Sequence, residues 1–214
     1  MLSVMLAMDS RLIRGAIAAV LELEADITVV GETDRWECVQ RTAQRCRPDV
    51  VVIDADMSGG SALTAVTQLR KHTPACRALL VTAHKSPELL RRAMKVNVSG
   101  ILLKDSSTDE LARGIKAIAA GEQVVDQELV IAVLNAEPNP LTKRETDILQ
   151  MISTGAEPGE VARRLGLSIG TVRNYLATIV TKLDARNRVD AIRIAEESGW
   201  LLPADESEAL FDAC

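Results

Sequence analysis

The sequence predicts two units of different class: an α/β unit built on a doubly wound, five-stranded parallel sheet, then a small all-α unit. Three observations carry this. Over the first 120 residues, short β-rich runs alternate with stretches that have apolar residues at three- and four-residue spacing. The run NAEPNP then breaks all periodicity. From Leu141 onward no strand-like run appears.

In chain order, the first predicted strand is 2–7 (LSVMLA), an apolar run that stops abruptly at Asp9. Further strands are predicted at 27–31 (ITVVG), 49–54 (DVVVID), 78–82 (ALLVT) and 99–103 (SGILL). The runs at 49–54 and 78–82 are almost continuously apolar, as expected of strands covered on both faces. The clearest helices between strands fall at 11–23, 61–71 and 87–96; a fifth, 108–120, ends at Gly121, a natural stop. Alternation of this kind implies parallel pairing. Residues 1–121 therefore form the first domain, and 122–140 a linker with a short helix over 126–134. Four helices are predicted after it, at 142–154, 158–165, 169–183 and 187–198, within a second domain spanning 141–202. Residues 203–214 (PADESEALFDAC, read from Pro203) form an acidic tail.

Composition narrows the class. Hydrophobic residues make up 47% of 214, but aromatics only 2% (Trp36, Tyr175, Trp200, Phe211), so both cores must be built from Val, Leu, Ile and Ala. A net charge of -5 does not advertise a nucleic-acid binder. Cys38, Cys46, Cys76 and Cys214 show neither a CxxC pair nor zinc spacing, and read as reduced thiols. No apolar run approaches the ~20 residues that span a bilayer, and no basic segment precedes a cleavable apolar stretch. The expectation is a cytoplasmic chain with no membrane insertion.

In a doubly wound sheet, chemistry collects at the C-terminal ends of the strands. Here those ends carry Asp9, Asp54 with Asp56 two residues on, Thr82 and Lys104. In the common 2-1-3-4-5 strand order, Asp9 and Asp54 face one crevice. Carboxylates gathered there repel unless a cation sits between them, and an all-oxygen site suits Mg²⁺. Lys104 offers a point charge, and Thr82 a hydroxyl, for a phosphoryl oxygen. A lone strand-end Asp is more often a helix N-cap than a ligand, so Asp9 taken alone reads as the cap of the helix beginning near Arg11.

The run RPDVVVIDADMSGG resembles the phosphoacceptor segment of bacterial response-regulator receiver domains, whose fold is flavodoxin/CheY-like. VTA at 81–83 and GILLKD at 100–105 are similar to that family's switch-threonine and lysine segments. The resemblance implies that Asp54 accepts a phosphoryl group from a sensor histidine kinase. It implies Mg²⁺ held by the side chains of Asp9 and Asp54 and the backbone carbonyl of Asp56. It implies Thr82 and Lys104 as the switch pair. Three positions depart from the family pattern: Met8 stands where a second acid is usual, Ser58 replaces a frequent proline, and Ile101 replaces the aromatic switch residue. DADMS also resembles the D-x-D-x-T loop of haloacid-dehalogenase-type phosphatases, but that loop follows the first strand and carries Thr where Ser58 stands.

Charge in the second domain is uneven. Residues 160–193 hold seven Lys and Arg against three Asp and Glu, net +4, inside an otherwise acidic chain. That is the electrostatic footprint of DNA contact, although charge by itself favours a merely solvated helical face; the order of residues decides. The order EVARRLGLSIGTVRNYLATIVTKL reads as helix, tight turn at Gly166, then a helix capped by Ser168. Val172, Leu176, Ile179 and Leu183 form its buried stripe, leaving Arg173, Asn174, Ala177 and Thr178 to point away with side chains suited to the major groove.

The segment LTKRETDIL…GEVARRLGLSIGTVRNYLATIVTKLDARNRVDAI resembles the LuxR-type helix-turn-helix of the NarL/FixJ response regulators. NPLT, TVRNY and SGW are particularly similar to regulators of membrane-lipid desaturation in Gram-positive bacteria. The resemblance implies DNA contacts at or near Thr171, Arg173, Asn174, Ala177, Thr178 and Lys182. It also implies a homodimer on a near-palindromic site of double-stranded DNA, paired through the last helix, where Val189, Ile192 and Ala195 share a stripe. The expected function is a DNA-binding transcriptional regulator, not an enzyme, switched by phosphorylation of Asp54. Two rivals stand beside it: an atypical receiver that binds DNA without phosphorylation, and a Mg²⁺-dependent phosphatase using Asp54 and Asp56.

Overall fold

The strands β1 (Leu2–Ala7), β2 (Ile27–Thr33), β3 (Val50–Asp54), β4 (Arg77–Thr82), β5 (Gly100–Leu103) and β6 (Val124–Val125) form one sheet, in the order β2-β1-β3-β4-β5-β6 with every pair parallel. The structure, a computed structural model, describes residues 1–136 and 138–201. The expected tail at 203–214, with Leu202, lies outside the described residues. The expected 2-1-3-4-5 order is present, extended by a sixth strand of two residues. A strand that short has no periodicity of its own, and its pairing with Gly100 and Ile101 supplies the signal instead.

Alternation of side chains splits the sheet's core into two layers. Met5, Ala7, Val51, Ile53, Leu80, Ile101 and Leu103 face α2 (Trp36–Cys46), α3 (Ala62–His72) and α4 (Pro87–Lys95). Val4, Leu6, Met8, Val52, Leu79, Val81 and Leu102 face α1 (Arg11–Leu21) and α5 (Thr108–Ala120). Most helices begin where the sequence supplies a cap. Ser10, Ser61 and Ser86 each accept a backbone N–H of the first turn, and Ser107 with Glu110 closes a capping box on α5. Gly121 ends α5 in the left-handed conformation its side chain-free backbone allows. α1 stops at Leu21, two residues short of the predicted end, which leaves Leu23 exposed.

The segment expected as a linker holds its helix, α6 (Gln127–Asn135), but that helix is bound to the sheet domain. Leu129 is fully buried in the same layer as Ile101, Leu89 and Leu90, with Val125 and Val133 packed beside it.

The second domain consists of α7 (Lys143–Ser153), α8 (Pro158–Leu165), α9 (Ile169–Lys182) and α10 (Arg188–Glu197), close to the predicted bounds. Their core is separate: Ile148, Leu149, Met151, Val161, Val172, Ile179, Ala191, Ala195 and Trp200. Gly166 turns α8 into α9 at positive φ, and Ser168 caps α9.

Candidate functional site

Asp54, the last residue of β3, is 2% exposed. The Nζ of Lys104 lies 2.7 Å from its Oδ1 and 3.0 Å from Oδ2 of Asp56. Asp56 is the hub of the corner. Its carboxylate accepts the Thr82 hydroxyl at 2.8 Å and the Ala83 N–H at 2.7 Å, while its own N–H donates to Asp54 at 2.9 Å. Four expected site residues thus come together: Asp54, Asp56, Thr82 and Lys104. Thr82 and Lys104 both rest on Asp56, an arrangement that strand-end positions alone do not reveal.

Burial is the largest influence on Asp54 and lifts its carboxyl above the usual carboxylate range despite Lys104. Burial pushes the other way at Asp56 too, but the Ala83 N–H, the Thr82 hydroxyl and Lys104 outweigh it and hold that carboxyl below the usual range. Lys104 is raised: its partial burial disfavours the cation, yet the two carboxylates more than compensate.

Asp9 follows β1 and is exposed; Ala7 and Ile53 are register partners, so Asp9 and Asp54 leave neighbouring strands. The cap of α1 is Ser10, so Asp9 is not used in that role. Met8 is buried at 1% exposure in the α1 and α5 layer. Its carbonyl accepts a hydrogen bond from Arg14, whose Nε also lies 3.0 Å from Glu32. A cation next to the first strand end was not visible in the sequence, because α1 reads simply as an amphipathic helix.

Among the described residues no group of three or more His, Cys, Asp or Glu side chains gathers closely enough to hold a metal ion. The donor chemistry of the corner nevertheless suits Mg²⁺. Asp54 ends β3 and Asp9 lies two residues beyond the end of the adjacent β1, and the Asp56 carboxylate is already engaged, so its carbonyl is the oxygen it has to offer.

On α9, Arg173, Asn174, Ala177, Thr178 and Lys182 are all exposed, while Val172 and Ile179 are fully buried. Thr171 is half-buried; its N–H binds the Ser168 cap, and the two hydroxyls lie 2.8 Å apart. The Thr178 hydroxyl donates back to the Asn174 carbonyl at 3.0 Å. Lys182 is not a bare surface cation: its Nζ lies 2.7 Å from Glu145, which is 4% exposed and completes the capping box of α7 with Thr142. Arg164, Arg186 and Arg193 are paired with Glu160, Asp190 and Asp190 with Glu197 respectively. No described ion pair involves Arg163, Arg173 or Arg188. On α10 the expected stripe divides: Ala195 is buried, Ile192 half-buried, and Val189 68% exposed.

Comparison with known proteins gives both halves a family. Residues 4–116 match the response regulator receiver domain, and residues 139–195 match the bacterial regulatory proteins of the luxR family. The chain is 36% identical to the transcriptional regulatory protein DesR of Bacillus subtilis, over 94% of this chain and 99% of that one. It is 30% identical to the nitrate/nitrite response regulator NarL of Escherichia coli, over 88% and 92%. The crystal structure of the response regulator ChrA, from a heme-sensing two-component system, superposes with a TM-score of 0.57 at 28% identity, covering 92% of this chain and 96% of that one. A strand-end acid corner beside a helix-turn-helix, matched over nearly the whole length of such relatives, leads to one conclusion: the chain belongs to the NarL/FixJ family of two-component response regulators, transcriptional regulators that bind DNA through a LuxR-type domain.

Proposed function

We propose that this regulator is switched by phosphorylation of Asp54 from a sensor histidine kinase. The observation that carries this is the buried Asp54 carboxylate with the Lys104 ammonium 2.7 Å from it. An Asp54 oxygen attacks phosphorus as the P–N bond to the donor imidazole breaks; the bonding pair stays on that ring nitrogen, and the imidazole, already protonated on its other nitrogen, leaves as the neutral base. Lys104 stabilises charge on the incoming phosphoryl oxygens. Mg²⁺, when bound, neutralises charge on the transferring group; Asp54, Asp9 and the Asp56 carbonyl are the groups that would hold it. The acyl phosphate then competes for Thr82 and Lys104, both resting on Asp56 before modification. Their release is the local event that reshapes the loops after β4 and β5.

The output is a homodimer on double-stranded DNA at a near-palindromic site, with Arg173, Asn174, Ala177 and Thr178 on the exposed side of α9 and Lys182 at its C-terminal end, held toward Glu145. On the receiver, α1 leaves Leu12, Ile13, Ala16, Ala19 and the following Leu23 exposed, an apolar face suited to a second copy of the chain. No described helix is long and apolar enough to cross a membrane, and a partner set of DNA and kinase fits a cytoplasmic protein.

The test is direct. Incubation with Mg²⁺ and acetyl phosphate adds one phosphoryl group by intact mass and shifts the protein to dimer on a sizing column, and Asp54→Ala abolishes both. A second reading rests on Met8 and Ile101, both buried core residues here: DNA binding that persists unmodified, with no adduct formed, identifies a regulator that works without phosphorylation.

A further inference from the structure

Trp36 opens α2, yet its indole reaches the loop that follows Asp54. The ring N–H donates to two successive carbonyls of that loop, Met57 at 3.2 Å and Ser58 at 3.1 Å. Gly60 completes the fit. A Cβ at that position would lie 2.1 Å from the ring, so the indole rests against bare backbone. Inside the loop, Asp56 N–H is bound to the Asp54 carboxylate and Met57 N–H to the Asp54 carbonyl, while the Met57 side chain is buried at 1% exposure. The peptide carrying the Asp56 carbonyl is therefore fixed on one side by Asp54 and on the other by Trp36.

This matters because residue 58 is Ser, with no ring to fix its backbone. A shared indole N–H fixes the same stretch from outside. We propose that Trp36 is a positioning residue of the phosphorylation site: it sets the loop after Asp54 so that the Asp56 carbonyl and the Asp54 carboxylate are pre-arranged for a divalent cation. The proposal rests on the phosphorylation reading above. The principle is general: groups that orient the ligands of a metal weigh on affinity without touching the metal.

The full-length protein is titrated with Mg²⁺ and read in two ways: the melting temperature by calorimetry, and the fraction of Asp54 modified by acetyl phosphate. Trp36→Phe keeps an apolar ring against Gly60 and removes only the N–H. It raises the Mg²⁺ midpoint in both readouts by about tenfold. Gly60→Ala, which displaces the indole and touches no acid, raises it in the same direction. Ser58→Pro added to Trp36→Phe brings the midpoint back, since none of the described hydrogen bonds uses the Ser58 N–H. A melting temperature lowered equally at every Mg²⁺ concentration, with unchanged midpoints in both variants, marks Trp36 as structural only and overturns the proposal. Failure of the phosphorylation reading looks different: the wild-type chain itself then shows neither Mg²⁺-dependent stabilisation nor an adduct, and the proposal falls with it.

Discussion

Two cations on one helix separate folding from recognition. Arg173 is exposed and enters no described ion pair, whereas Lys182 lies on the buried Glu145. The Glu145 carboxyl is held below its usual range because Lys182 and the Thr142 groups overcome its burial. Arg173→Ala is expected to leave the melting temperature unchanged, weaken DNA binding and lower the slope of log affinity against log salt by about 1. Lys182→Ala is expected to lower stability by about 1–2 kcal/mol, because a buried carboxylate loses a charged partner. Thermal melts and gel-shift titrations at several salt concentrations distinguish the two. Residue types and spacing were enough to place Asp54, Thr82 and Lys104 in one corner, since strand ends are readable from periodicity. The parking of Thr82 on Asp56 and the reach of Trp36 were not readable, because they depend on side-chain rotamers and on two loops meeting across 21 and more residues.

At the scale of elements, α6 and α10 each carry an expectation. Leu129 fills the receiver core although it sits in a segment that reads as a connector. Leu129→Ala is expected to destabilise the receiver by about 2–5 kcal/mol, a size that belongs to core truncations; a urea titration measures it. The sequence hides this because VIAVL is apolar all round and periodicity picks no face. α2 was equally poorly marked, since its N-cap Arg35 makes no side-chain capping bond. The start of α10 is held by Asp190, whose carboxyl lies well below the usual range because the Arg186 side chain and N–H, then Arg193, hold it ionised. A native pKa below the unfolded value of about 3.9 stabilises the fold above that pH, and the contribution is lost as pH falls beneath it. Asp190→Asn is therefore expected to lower the melting temperature at neutral pH and to flatten its decline below about pH 4.

The whole molecule is two cores, connected by the chain beyond α6 and touching where the Gly199 backbone lies against Pro87 of α4. α6 is tied at its start to the loops that follow β4 and β5, next to the switch pair: Asp126 accepts the Ser106 hydroxyl at 3.1 Å, and Glu128 pairs with Lys85. Beyond α6, the core of α7 to α10 contains no residue of the receiver. A fragment spanning 138–214 is expected to fold and bind the same DNA as the full chain, with an affinity indifferent to Mg²⁺ and acetyl phosphate. Fluorescence anisotropy with labelled duplex checks this; a fragment that melts without cooperativity, or binds no DNA, contradicts it. Charge points the same way, since the cationic stretch 160–193 lies wholly in this fragment and the rest of the chain is acidic.

The chain has two tryptophans, and the fold gives one to each half. Trp36 is half-buried against the acceptor loop, while Trp200 is 5% exposed in the helical core. Each domain therefore carries its own native chromophore. With Trp200→Phe the tryptophan emission, excited where Tyr175 does not absorb, reports on the receiver alone, and with Trp36→Phe on the helix-turn-helix alone, so the order in which the two halves lose structure can be followed by light without attaching a dye.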